Sequence, residues 1–314
     1  MNKRVYGVLG ISSKMANWNA DFSGYPKMTS GGEVYGSDKA LKYPMKKMWD
    51  EQGKKVLYIK SMRLSTEKNG DVFLVPRSLK ERYEYTFEVD DLKKHADAKE
   101  VLTNLFQAVD VKNFGATFAV EKMNISITGA VQFGQGFNKY EETEAQEQPI
   151  LSPFRDAKKT TEEKGEAKNS TLGTKIVSDE AHYFYPFVIN PLAYKNFVEL
   201  GVTEGYTEAD YKNFKDTALV SATAYATNAK EGCENEFALF VETKADLYLP
   251  NLTEYITFAK GEEKDEICMN CDEILAEMGE NILSIEVYYN PNTTVVNKNI
   301  AGARYYNIVT RKEV

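Results

Sequence analysis

Histidine and cysteine are scarce in this chain, with two and three copies among 314 residues. His95 and His182 are the only imidazoles, so a Ser-His-Asp or Cys-His device would have to use one of them, and no nucleophile elbow is present. Three cysteines are too few for a disulfide framework and fit a reducing compartment, so the cytoplasm is the expected location. Cys268 and Cys271 make a single C-x-x-C with no second pair. Zinc ligation could be completed only through distant Cys233 or a histidine, and the thioredoxin context is missing. The spacing reads as accidental, and no metal or cofactor is expected. No apolar run approaches the roughly 18 residues of a membrane span. The N-terminus enters a strand pattern without the apolar core of a signal peptide, so no membrane role is expected.

Positive charge is also in deficit: Lys and Arg total 39 against 47 Asp and Glu, a formal net charge of −8. Averaged over the surface, that balance argues against a polyanionic ligand. Carboxylates are concentrated in residues 141–147, 162–166 and 262–277, however, and an acidic body with a local basic groove still binds phosphate. Hydrophobic residues at 42% and charged residues at 27% are ordinary for a globular chain. The length allows one large or two ordinary domains with an ample core.

The organising stretch is residues 4–49. Residues 4–15 (RVYGVLGISSKM) have the β-branched and small side chains of a strand. Residues 37–52 read as a helix, with Ser37 and Asp38 as candidate N-caps and Gly53 closing it. At about 100° per residue, Lys42 and Lys46 fall within roughly 60° of Lys39, while Leu41, Met45 and Met48 gather opposite. Three ammonium groups are thus predicted to point outward together. Pro44 removes a mid-helix hydrogen bond at a cost of about 3 kcal/mol, which predicts a kink or a late start. Between strand and helix, residues 15–24 (MANWNADFSG) alternate Asn17, Asn19 and Asp21 with Trp18 and Phe22. Amides and a carboxylate offer donors and acceptors, and the aromatic faces could stack on bases at roughly 1–3 kcal/mol each. The same pattern also describes a long loop whose Asn and Asp bond their own backbone while Trp18 and Phe22 pin it to a core.

Farther along, residues 55–64 and 71–75 are β-rich around Asn69-Gly70, a strong hairpin signal. Short helices are expected over 78–85 and 97–109. Residues 112–120 (KNFGATFAV) superficially echo the basic-Phe-Gly consensus of RNA-recognition strands, but Asn113 stands where glycine belongs, and core packing explains them as well. A strand at 124–127 leads into residues 128–138, whose glycines permit close backbone approach while Gln132, Gln135 and Asn138 supply donors. The loop lacks the Lys-Ser/Thr of a phosphate-binding Walker motif. Residues 139–179 enclose a polar, low-complexity tip between two apolar arms and read as a protruding hairpin. A strand over 182–189, with Pro186 marking an edge or bulge, precedes a helix over 207–227 with Thr207 as N-cap and Asp210 completing its box. Strands over 237–241, 283–289 and 303–309, with a short helix near 272–278, complete an α+β pattern of split β-α-β units with long insertions.

The run RVYGVLGISSKMANWNADFSGYPKMTSGGEVYGSDKALKYPMKKMW resembles the N-terminus of the CRISPR-associated backbone subunits of type I Cascade surveillance complexes, most closely the I-B branch. FGATFAVEKMNISITGAVQFGQG and LGTKIVSDEAHYFYPFVIN are similar to that family in the same order. The resemblance implies an RNA-recognition-motif-like, ferredoxin-like palm spanning 1–314. It implies a finger-like insert at 54–112 and a thumb hairpin at 138–179. Copies of such a subunit polymerise along a CRISPR guide RNA beside other Cascade subunits and present it for pairing with a target DNA strand. The implied role is non-catalytic binding. Lys14, Asn17, Asn19, Asp21, Lys39, Lys42 and Lys46, with Gln132, Gln135 and Asn138, would hold guide RNA, and Trp18 or Phe22 would stack. In the thumb, Phe154 and Leu172 would form an apolar wedge while Arg155 and Lys175 reach phosphate.

Two other readings stay open. Related backbone subunits of type III complexes cut RNA with an Asp in a comparable region, which makes Asp21 the candidate for metal-dependent cleavage, although such hydrolysis needs several oxygen ligands. A protein-binding module of RNA-recognition-like fold is the other.

Overall fold

Strand β1 (Lys3–Ala16) runs through the middle of the molecule and is buried over most of its length. The computed structural model describes all residues except 95–96, 121–122, 153–170 and 298–299. The short β2 (Tyr35–Gly36) precedes helix α1 (Asp38–Glu51). Ser37 caps α1 as the sequence predicts, its side chain accepting from the Ala40 amide, and Gly53 lies past the end at φ +75°. The expected late start does not occur. Pro44 is buried inside the helix with Leu41, Met45 and Trp49, so core packing offsets the hydrogen bond it lacks.

Asn69-Gly70 turns the hairpin of β3 (Met62–Thr66) and β4 (Val72–Pro76), with Gly70 at φ +91°. The strand expected from residue 55 starts later because the amides of Leu57 and Tyr58 go to the carboxylate of Asp110, each at 2.8 Å. α2 (Leu79–Phe87) opens on a Ser78–Glu81 capping box, and α3 (Ala98–Gln107) on Asp97. α4 (Val109–Phe114) takes the start of the 112–120 run, and β5 (Gly115–Val120) the rest, paired with β6 (Met123–Thr128). Phe114 stacks on Trp49 and Phe118 is buried, so the aromatics of that run serve the core.

β7 (Val131–Phe133), β8 (Gly136–Asn138) and β9 (Ala145–Ser152) lead to the long β10 (Thr171–Ile189). β9 pairs with the first half of β10 from Ser152↔Thr171 to Ala145↔Ser178, forming the two arms of a hairpin. Pro186 is not on an edge strand, but it does face a bulge, as the sequence allows: β7 pairs Phe133 with Phe187 and β8 pairs Phe137 with Phe184, so three residues on that side oppose two of β10. It faces Val8 across the sheet, and on its other side its carbonyl accepts from Gly134, where the neighbouring strand is interrupted between β7 and β8. A strand residue's N and carbonyl face the same side, so its missing N–H falls at that gap.

α5 (Lys195–Glu199), α6 (Glu208–Ala218) and α7 (Ser221–Ala224) precede β11 (Cys233–Lys244). The Thr207–Asp210 capping box is present. The single helix expected over 207–227 is broken after Ala218, because Asn235 takes the amides of Ala222 and Thr223 and donates to the Ala218 carbonyl. β12 (Ile256–Ala259), β13 (Asp265–Met269), α8 (Asp272–Glu277), β14 (Ile282–Tyr289), β15 (Thr294–Asn297) and β16 (Arg304–Asn307) complete the chain.

In the main sheet β11, β1, β10 and then β7 with β8 lie side by side, all antiparallel. With α1 and α6 as the crossovers, this is the 4-1-3-2 order of a β-α-β-β-α-β unit, an RNA-recognition-motif-like palm. β14 and β16 widen it beyond β11. The helices cover one face through Leu41, Met45, Trp49 and Phe214. The three-stranded β12–β13–β15 sheet and α8 cover the other, where Leu252, Ile256, Ile267 and Leu275 pack on Tyr6, Val8, Phe184 and Leu239. No described helix is long and apolar enough to cross a membrane.

Candidate nucleic-acid interface

A four-stranded RNA-recognition sheet ordinarily stacks bases on aromatics of its open face. Here the corresponding strands carry Tyr6 and Phe184 beneath the small sheet, both buried. Polar and aromatic groups suited to a strand of RNA must therefore be sought at the sheet's ends.

At its C-terminal end β1 turns sharply, with Met15 at φ +50°. Asn17 and Trp18 follow, and both are buried, which overturns their expected contact with RNA. Asn17 donates to the carbonyls of Gly24 at 2.8 Å and Ile176 at 3.2 Å, tying the two ends of the loop to an arm of the β9–β10 hairpin. The Trp18 indole N–H donates to the Tyr185 hydroxyl at 2.6 Å, so its ring is core and not a stacking platform. Gly36 covers this pair, and a Cβ there would sit 1.8 Å from the Tyr185 hydroxyl. Asn19 accepts from the Ser37 amide at 2.8 Å, linking the loop to the start of α1. Asp21 is exposed, and its Oδ1 accepts from the amides of Ser23 at 2.8 Å and Tyr25 at 3.0 Å. That pattern is an Asx turn shaping the loop. At its tip Phe22 is 112% exposed, an aromatic face wholly in solvent. The Tyr25 hydroxyl donates to Glu147 on β9, a second tether to the hairpin.

The predicted outward row of three lysines is not formed. Lys39 is exposed, but Lys42 and Lys46 fold inward over the Phe114 ring, 5.2 and 5.9 Å from its centroid. Lys42 pairs with Asp38 at 2.8 Å. Lys46 reaches the Tyr58 carbonyl at 3.4 Å and buried Asp110 at 3.9 Å. Burial lowers the Lys46 pKa and the Lys42 charge adds to that, while Asp110 opposes both. The sequence could not place them because Phe114 and Asp110 come from α4, far along the chain. The result is two half-buried amines lying over aromatic rings, in place of an open ridge.

The remaining predicted residues are scattered. Lys14 is engaged by Glu180 at 2.9 Å and Asp265 at 3.4 Å. Gln132 and Gln135 are exposed, and Gln132 donates to the Gly129 carbonyl. Asn138 is consumed by local structure: it donates to Tyr140 and Thr143 and accepts from the amides of Tyr140 and His182, so it has no free donor to offer. Lys175 is half-buried on β10. Phe154 and Arg155 lie outside the described residues, as does the side chain of Leu172.

Lys14 belongs to a network the sequence did not reveal. His182 is buried between Glu236 at 2.7 Å and Glu180 at 3.1 Å, with its ring stacked on Phe258 at 3.8 Å. Lys260 reaches Glu180 at 2.7 Å and Asp265 at 3.1 Å. Burial disfavours the imidazolium, but Glu236 and Glu180 outweigh it and raise the His182 pKa. Burial likewise works against the Glu180 carboxylate, yet Lys260, Lys14 and His182 bring its pKa down to about 2. Ligand atoms of Glu180, His182 and Asp265 lie within 4.8 Å of one another, a spacing that could hold a metal ion. The ammoniums of Lys14 and Lys260 already balance these carboxylates. Cys271 is buried, which raises its thiol pKa to about 11, as suits a structural cysteine.

A further residue emerges only from the structure. Lys230 donates to the carbonyls of Asn17 and Trp18, each at 2.5 Å, with its ammonium 5.6 Å from the Trp18 ring centroid. Nothing local in its sequence distinguishes it from a surface lysine.

A profile of the family described as CRISPR-associated protein Cas7 matches residues 3–276. No curated protein matches the chain. Among solved structures, a chain of a "CRISPR RNA-guided surveillance complex" is 14% identical with a TM-score of 0.51, over 96% of this chain and 94% of that one. A chain of a "CRISPR RNA-guided surveillance complex, pre-nicking" is 16% identical with a TM-score of 0.49, over 97% and 96%.

Proposed function

Because the chain belongs to the CRISPR-associated protein Cas7 family, we propose that it is the repeated backbone subunit of a type I, I-B-like Cascade complex and binds guide RNA without catalysis. The family match over residues 3–276 carries this reading, since a palm of this topology hosts many functions. Copies polymerise along the guide beside other Cascade subunits in the cytoplasm and leave it open to pair with a target DNA strand. Specificity then resides in base pairing, and the protein holds backbone and shape. Residues 54–112 serve as the finger-like insert and 138–179 as the thumb, with Phe154, Arg155, Leu172 and Lys175 acting at the guide.

The geometry supports a particular mode of binding. With both sheet faces covered, Phe22 is the aromatic face free to stack at the end of β1, and Asp21 and Asn19 shape the loop that carries it. Lys39 on the surface, with the half-buried Lys42 and Lys46 beside it, supplies the phosphate contacts. A phosphate at these amines favours the ammonium form of Lys46, which burial disfavours.

Co-purification from a CRISPR-bearing host tests the reading. A discrete, guide-length RNA travelling with the tagged chain is the expected result. A protein partner recovered without RNA would replace the backbone role with that of a protein-binding module.

A further inference from the structure

We propose that Lys230 is a positioning residue for RNA binding, acting through the backbone of the loop that carries Phe22. The inference rests on the loop being part of the RNA interface, as set out above.

Where β1 leaves the sheet, residues 229–232 run beside it. The Lys14 amide donates to the Gly232 carbonyl and the Asn17 amide to the Ala229 carbonyl, both at 2.9 Å. Gly232 takes φ +97°, and a Cβ on it would lie 2.2 Å from the Lys14 carbonyl oxygen, so only glycine brings this segment so close. That approach delivers the Lys230 ammonium to the Asn17 and Trp18 carbonyls. Among the described residues no carboxylate pairs with Lys230. The two carbonyls and the Trp18 ring take its place, and burial lowers the amine's pKa.

A half-buried cation with no anion is a poor way to gain stability, since an apolar chain of the same length avoids its partial desolvation. Its geometric effect is specific. An ammonium has three donors, and here two of them fix adjacent carbonyls at the pivot of the loop. Fixing the Asn17 peptide orients its side chain toward Gly24 and Ile176, the bonds that close the loop and join it to β10. Lys230 therefore determines where Phe22 stands relative to the hairpin, without itself touching the ligand.

The test uses the full chain and a fluorescent single-stranded RNA of guide length, with Lys230→Met, Lys230→Arg, Phe22→Ala and the Lys230→Met/Phe22→Ala double variant. Hydrogen exchange is followed at the Asp21 and Lys27 amides, which are bonded to Tyr25 and Asn19 in the loop. Lys230→Met should weaken RNA binding about tenfold and speed exchange at both amides. Lys230→Arg, which keeps donors for both carbonyls, should recover most of the affinity. In the Phe22→Ala background Lys230→Met should add less than twofold. Normal RNA affinity in Lys230→Met, or an equal loss with and without Phe22, overturns the proposal while leaving the interface in place. If Phe22→Ala itself binds RNA normally, the loop is not part of the interface and the reading beneath the proposal fails. Should the Met variant not fold, Lys230→Gln is measured in both backgrounds with the same two outcomes.

Discussion

The indole of Trp18 and the phenol of Tyr185, 167 positions apart, meet in a 2.6 Å hydrogen bond in the interior of the palm. Both residues are almost wholly buried. Tyr185→Phe strands the indole N–H in a closed site and should cost about 1–3 kcal/mol. The shift in urea midpoint at unchanged slope measures it. An unchanged midpoint would mean that Trp18 is not held in the core, and its stacking role would have to be reconsidered.

The ion network around His182 predicts a pH-dependent stability. It joins Lys14 on β1, Glu180 and His182 on β10, and Glu236 on β11 to Lys260, just past β12, and Asp265 on β13, with Phe258 and Tyr140 against the imidazole. The raised His182 pKa means that its contribution is complete below the ordinary value of 6.5 and is lost as pH rises through the higher folded value. Glu180, with a pKa held at about 2 against an ordinary 4.5, contributes above 4.5 and loses that contribution as acid approaches the lower figure. Urea unfolding should therefore show stability falling as pH rises above 6.5, and His182→Gln should flatten that limb. An unaltered alkaline limb in His182→Gln contradicts the assignment.

Asp21 separates a structural carboxylate from a catalytic one. Its Oδ1 serves two loop amides, a task that an asparagine oxygen also performs. Asp21→Ala should weaken RNA binding about two- to tenfold, the equivalent of losing one modest hydrogen bond. Asp21→Asn should bind normally. With target RNA and magnesium, neither variant should differ from the parent in product formed. RNA fragments made by the parent and lost in Asp21→Asn would establish the nuclease alternative.

Features set by neighbours in sequence were legible without coordinates. The Ser37 cap, the Thr207–Asp210 box and the Asn69-Gly70 turn each depend on residues within a few positions, and all three stand as read. Features that depend on a distant partner were not legible. An aromatic in a polar loop reads alike whether it stacks or packs, and Trp18 packs where Tyr185 accepts its indole N–H, while Phe22, with no polar hydrogen to place, stands in solvent at the loop tip. Helical spacing placed Lys42 and Lys46 on one side of α1, but their inward fold required Phe114 and Asp110 from another helix. Asn235 broke a helix it does not belong to. Lys230 had no sequence signal because the loop it clamps is more than two hundred residues away.

The salt dependence of RNA binding tests the central claim most directly. If each subunit neutralises four phosphates of a single strand, log affinity should fall against log salt with a slope of about −3 per subunit. Replacing Lys39, Lys42 and Lys46 with alanine should make that slope shallower by about 2 while leaving the urea midpoint of the fold within reach of the parent's. A triple variant that folds and retains the parental slope would show that these lysines do not meet phosphate, and the guide would have to lie elsewhere on the protein.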